Sequence, residues 1–334
     1  MKVVIPLAGT GKRLRPFTYT QPKPMIPVAG KPIIGHIVDE LLSQGFDDFV
    51  FILGYLGNSI RQYIDKRYPE LTCAFVQQDE RKGLGHAIWM AREEMHGAEG
   101  VLIVLGDLIF QHDFKDMLKS KVSQLVIAPV EDPREFGVVD QDRDGRVVRT
   151  IEKPRIPKSN KALVGIYRII ETDQLIHALD TIISENRMTQ GEFQLTDALQ
   201  LMIEDGVTFN TCEVGQWFDC GRSDILLQTN ALLLKHQDSP QKPNVDFTDS
   251  VIIPPVYIGV DCQIIGSIIG PFTTIGDGTD VSSSVVSNSI IGNETSIEYV
   301  VLHDSIIGND STVRGFKQRL NIGDDTVIDL FQKK

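Results

Sequence analysis

Residues 6–32 read PLAGTGKRLRPFTYTQPKPMIPVAGKP. A short apolar strand, Val3 to Ile5, runs into this segment. Gly9 and Gly11 open a loop in which backbone N–H groups can approach an anion with no side chain in the way. Arg13 and Lys23 add positive charge, and Pro22 and Pro24 predict a stiff, extended presentation of Lys23. The stretch predicts a polyphosphate site at the end of the first strand of an α/β sheet. Two other phosphate loops are excluded. A Walker loop needs glycine where Pro6 stands and Ser or Thr where Arg13 stands. A dinucleotide fingerprint needs a third glycine where Leu14 stands.

Working outward, the next elements alternate. Lys31-Pro32 opens a helix with Ile34, Ile37, Val38, Leu41 and Leu42 on one apolar face, stopped by Gly45. Phe49–Leu53 reads as a strand, 58–67 as a helix, 73–76 as a strand, 83–95 as a helix and 101–105 as a strand. This alternation predicts a parallel sheet with right-handed crossovers and ligands beyond the strand C-termini. Two of those ends carry notable residues: QQDERKGLGHA with Gln78, Gly83 and His86, and LGDL with Asp107. An amide offers donor and acceptor together, which suits the imide edge of a pyrimidine. His86 reads as a helix-surface residue. A second carboxylate, Asp219, lies in GQWFDCGR.

Between them the chain is β-rich: 136–139, a turn at 142–145, 147–151 and 163–167. Helices over 194–203 and 224–234 close the domain. Residues 237–250 are polar, contain two prolines and read as a linker. The tail is a repeat. Ile-Gly pairs at 258, 275, 291, 307 and 322 recur every 15 to 17 residues. A second aliphatic follows six later (Ile264, Val281, Ile297, Val313, Ile328), and a third five after that (Ile269, Val286, Leu302). Three inward positions per unit mean three faces per coil, a β-solenoid over residues 251–330.

The motif series resembles the sugar-1-phosphate nucleotidylyltransferases: a G-x-G-T-R-L-x-P loop with P-K-P-M, then Q-D-E-P-x-G-L-A-H-A, F/Y-G-V-V, E-K-P, V-G-x-Y, G-E-x-x-x-T-D and W-x-D-T-G. Lys12 stands where the family usually has Thr, and Cys220 replaces another Thr. The whole chain resembles the longer thymidylyltransferases, which join a Rossmann-like catalytic domain, here residues 1–236, with a mixed, mainly parallel sheet to a short left-handed parallel β-helix. The resemblance implies that Leu7, Ala8, Gly9, Gly11, Gln78 and Gly83 bind the nucleotide. It further implies that Gly137, Glu152, Lys153, Val164 and Glu192 bind the sugar phosphate. It also implies that Asp107 and Asp219 hold Mg²⁺ and that Arg13 and Lys23 act on the phosphates. The implied reaction moves a nucleotidyl group from a triphosphate, dTTP first, onto glucose 1-phosphate, with UTP or GTP as alternatives. Acetyl transfer in the solenoid is a further alternative, but His303 is the only tail histidine after His236 and reads as a surface residue.

Composition agrees with a soluble globular chain. The 334 residues suit two domains, with 42% hydrophobic and 23% charged residues. A net charge of −12 excludes nucleic acid as a bulk partner. No apolar run is long enough to span a membrane. Cys73, Cys212, Cys220 and Cys262 are scattered, which fits a reduced, cytoplasmic setting. The solenoid is expected to mediate homo-oligomer formation.

Overall fold

A computed structural model describes residues 1–236, 247–316, 322 and 325. It divides into two compact units, 1–233 and 234–334. Most of the expected linker (237–246), Gly323 and Ile328 lie outside the described residues.

The first unit is an α/β domain around one nine-stranded mixed sheet. Its strands are β1 (Lys2–Pro6), β2 (Asp48–Leu53), β3 (Thr72–Gln77), β4 (Val101–Val104), then, after a short excursion, β6 (Ser123–Pro129), β7 (Gly137–Gln141), β8 (Val147–Glu152), β9 (Lys161–Ile169) and β10 (Phe209–Glu213). The excursion is β5 (Leu108–Gln111), which pairs with β11 (Gln216–Asp219) in a separate ribbon. The order across the sheet is β8-β7-β9-β4-β1-β2-β3, with β6 joining β9 to β10. The half containing β4, β1, β2 and β3 is parallel, as the strand–helix alternation predicts. The other half makes the sheet mixed, as the family resemblance implies: β9 runs antiparallel to β4, β6 and β7. Within it, β7 and β8 are antiparallel because a hairpin turn at Asp142–Gly145 joins them with no crossover helix.

The strands of the parallel half read as near-continuous apolar runs because both faces are covered. Val3, Val4, Ile5, Phe49, Val50, Phe51, Ile52 and Val101 to Val104 are fully buried. Helix α1 (Ile33–Ser43) buries Ile33, Ile34, Ile37, Val38 and Leu41. Leu42, expected on that face, is 36% exposed, since it lies beyond the edge of the stripe. Pro32 caps this helix in extended conformation and pairs back onto Pro27 instead of starting it. Beyond α2 (Gly57–Arg67), the helix expected over 83–95 is two pieces, α3 (Leu84–Met90) and a turn at Arg92–Met95, broken at Ala91. Helices α4 (Thr172–Ser184), α5 (Leu195–Glu204) and α6 (Ser223–His236) follow, and a short helix over Lys115–Lys119 lies between β5 and β6.

The second unit is a left-handed parallel β-helix with three four-stranded parallel sheets. The repeat predicts its register. Ile258, Ile275, Ile291 and Ile307 stack in one row. Ile264, Val281, Ile297 and Val313 form a second. Ile252, Ile269, Val286 and Leu302 form the third. All three rows point into one apolar core.

Candidate active site

Three chain segments converge where β1, β3 and β4 end. The loop after β1 supplies Leu7, Ala8, Gly9 and Lys12, the loop after β3 supplies Gln78 and Gly83, and the turn after β4 supplies Asp107. They line a cavity of about 510 Å³ together with Lys23, Arg81 and Glu192. A Cβ added at Gly9 meets nothing within 4 Å, so the backbone there faces open space, as an anion cradle requires. Gly11 has a different job. It takes φ 59°, and a Cβ there would meet Thr18 at 2.8 Å and Lys23 at 3.1 Å. It therefore lets the loop close on Lys23, and it does not line the cavity.

Lys23 is 7% exposed. It begins a 3-10 turn, Lys23–Met25, in place of the extended segment expected between its prolines. Pro24 is compatible with an early helical position, so the stiffness comes from the turn and not from extension. The ammonium Nζ donates to Asp107 Oδ2 at 2.6 Å and lies 3.6 Å from Asp219 Oδ1. The two carboxylates meet because of strand register. In the β5–β11 ribbon Leu108 faces Asp219, and Cys220 N donates to Asp107 O at 3.0 Å. Arg13 Nη2 approaches Asp219 Oδ2 at 3.8 Å. Gly221 leaves room for that approach, since a Cβ there would sit 2.8 Å from Asp219 Oδ1 and 3.1 Å from Arg13 Nη2. Burial pushes the Cys220 thiol up to about 12, so it stays protonated beside the carboxylates and has the character of a packing residue.

A second cavity, about 170 Å³, opens beside the first, and Asp107, Leu84 and Leu105 line both. It collects Arg13, Gly137, Glu152, Lys153, Val164 and Asp219. Glu152 accepts from Thr196 Oγ1 at 3.2 Å, and Lys153 Nζ lies 3.5 Å from Glu152 Oε1. A Cβ on Gly137 would press on Thr196 at 2.9 Å and Glu152 at 3.2 Å, so the glycine keeps this wall open. Burial raises the Tyr167 phenol above its usual range, leaving a neutral hydroxyl in the wall. Glu192, expected here, lines the first cavity, because a Cβ on Gly83 would lie only 2.8 Å from its own Cβ.

Sequence reasoning missed several wall residues. Arg81 sits where the resembled motif has proline, and Lys12 where it has threonine, so both departures bring a cation to the first cavity. Thr196 and Trp217 of the second cavity lie inside quoted motifs and were readable there. His86 is a correction. It is 8% exposed, with its ring beside Trp89 and Phe193, not on the helix surface.

The family model for nucleotidyl transferase matches residues 2–236. A glucose-1-phosphate thymidylyltransferase of Streptomyces antibioticus is 30% identical over 314 residues, covering 87% of this chain and 86% of that protein. The bifunctional protein GlmU of Methanocaldococcus jannaschii is 35% identical over 76% of this chain, which spans 59% of that longer protein. A UTP–glucose-1-phosphate uridylyltransferase of Haloferax volcanii is 32% identical over 65% of this chain and 89% of that one. Among solved structures, a UDP-glucose pyrophosphorylase complexed with UDP-glucose superposes with TM-score 0.62 at 26% identity, over 71% of this chain and 99% of that one. With that family model matched over most of the chain, the chain belongs to the nucleotidyl transferase family, as a sugar-1-phosphate nucleotidyltransferase.

Proposed function

We propose that the protein transfers a thymidylyl group from dTTP to glucose 1-phosphate, releasing pyrophosphate. The observation that carries this reading is the shared wall: Asp107 lines both cavities, with Lys23 2.6 Å from its carboxylate. The larger cavity takes the triphosphate, with its phosphates over the Gly9 loop and its base toward Gln78 and Gly83. The smaller takes the sugar phosphate, with hydroxyls on Glu152 and phosphate on Lys153. Carboxylates suit vicinal hydroxyls, and lysine suits phosphate as a point charge.

A phosphate oxygen of the sugar phosphate attacks the α-phosphorus. The new P–O bond forms as the bond to pyrophosphate breaks, and pyrophosphate departs with the electron pair. Such transfer needs positioning and charge neutralisation and no covalent intermediate. Lys23 bridges the two reacting phosphates, and Arg13 steadies the leaving group.

The donor set also fits a magnesium ion. Asp219 Oδ1 is buried with no hydrogen-bond partner, and Asp107 lies beside it across Lys23. Two carboxylates plus phosphate oxygens and water are the usual magnesium shell. When bound, the ion supplies charge neutralisation of the triphosphate. Asp107 and Asp219 would hold it, and Lys23 then shifts its charge from the carboxylates to phosphate.

UTP is the second nucleotide, because thymine and uracil share the edge that Gln78 reads and differ by a methyl worth only ~1–3 kcal/mol. The test is a matrix of triphosphates against sugar 1-phosphates with Mg²⁺, read as pyrophosphate release. Highest kcat/KM is expected for dTTP with glucose 1-phosphate. Turnover with another pair alone would reassign the substrates, and no turnover with any pair would overturn the reading.

A further inference from the structure

Gln78 is 3% exposed and lines the larger cavity. Its amide nitrogen lies 2.9 Å from His86 Nδ1 and 3.4 Å from the Gly83 carbonyl. A carbonyl oxygen only accepts, so the atom facing Gly83 is the NH₂ and not the amide oxygen. The same NH₂ faces His86, so Nδ1 accepts and the ring proton resides on Nε2. Both amide hydrogens are thereby directed at protein acceptors. What remains is Oε1, which accepts no hydrogen bond among the described residues.

We propose that His86 is a positioning residue that locks the Gln78 amide so that only its acceptor is offered to the nucleobase. The inference rests on the nucleotide-site reading above and narrows it: the amide presents its acceptor alone and not the donor–acceptor pair expected from the sequence. A fixed acceptor selects a base edge with a ring N–H, as in thymine and uracil. Cytosine offers a bare ring nitrogen at that position, so two lone pairs would face each other. A site built to pair one donor pattern rejects the opposite pattern strongly, because the buried groups are left unpaired.

The surroundings keep His86 able to accept. Burial holds its pKa below the usual range, Lys82 adds to that effect and Glu80 opposes it. Lys82 and Glu80 are paired with each other in the preceding loop. The other neighbours carry no charge: Trp89 on its own helix, Phe193 from the segment before α5, and Gln78 itself. The ring lies against both aromatics, with centroids 5.7 Å from Trp89 and 6.4 Å from Phe193.

The test compares His86→Leu with His86→Asn, whose side-chain oxygen can take the place of Nδ1 as acceptor. With glucose 1-phosphate and Mg²⁺, H86L should raise KM for dTTP by about five- to tenfold, with kcat changed much less. Its preference for dTTP over dCTP should fall by about tenfold or more. H86N should restore most of both. A preference that is unchanged in H86L, or lost equally in H86N, overturns the proposal. If H86L does not fold, ¹⁵N-labelled histidine in the wild-type protein serves instead. A neutral His86 protonated at Nε2 at pH 7.5 supports the proposal, and protonation at Nδ1 overturns it. Wild-type protein that uses no triphosphate overturns the function itself. Wild-type discrimination that survives in H86L overturns only the role of His86.

Discussion

Asp219 has one oxygen near Arg13 and one that is buried with no hydrogen-bond partner, 3.6 Å from Lys23 Nζ. An orphaned carboxylate oxygen costs desolvation free energy unless something binds it in the working state. Asp219→Asn removes the charge and keeps the shape. We expect the Mg²⁺ concentration for half-maximal activity to rise about tenfold or more, and an unchanged titration would reject Asp219 as a ligand. The residue scale also shows what sequence could and could not reveal. Both aspartates were readable because each ends an apolar strand in a short motif. Their proximity came only through the family resemblance, since it depends on β5 pairing with β11 across more than a hundred residues. His86 was hidden for a similar reason: its burial is decided by Phe193, far away in the chain.

At the scale of elements, strand identity followed from composition, but strand direction did not. The run LVGIY fits a buried strand of either sense, and the hairpin before it sets the antiparallel half of the sheet. The solenoid was more legible, because stacking requires each coil to repeat its apolar positions, so the period alone fixes the register. Helix α1 carries a testable electrostatic load. His36 Nε2 donates to the Val28 carbonyl at 2.8 Å, and burial pulls its pKa to about 4. The unfolded chain takes up a proton near the usual 6.5, whereas the folded ring resists until about 4. The contribution is therefore complete above pH 6.5 and lost as pH falls towards 4, on the order of 3 kcal/mol in all. Denaturant melts between pH 7 and 4 should show that slope, and His36→Gln should flatten it. Equal slopes in both proteins would remove His36 as its source.

At the scale of the whole molecule, one solenoid face carries a row of partly exposed aliphatics. Val251, Ile268, Val285 and Val301 stand in register along it, and Val251 and Val301 are 55% and 78% exposed. A row of aliphatics on a surface marks an association site. We expect the chain to self-associate through this face and Val301→Lys to shift sedimentation towards the monomer. Identical sedimentation of the two proteins would place any association elsewhere. The proposed catalysis rests on Lys23, which lines the larger cavity and pairs with the Asp107 carboxylate that both cavities share, and pyrophosphate release in Lys23→Ala tests it most directly. With dTTP, glucose 1-phosphate and Mg²⁺, release should require both substrates and fall at least about 100-fold in the variant, with the melting curve still cooperative. Release that proceeds without the sugar phosphate, or a variant with near-normal turnover, would contradict the account.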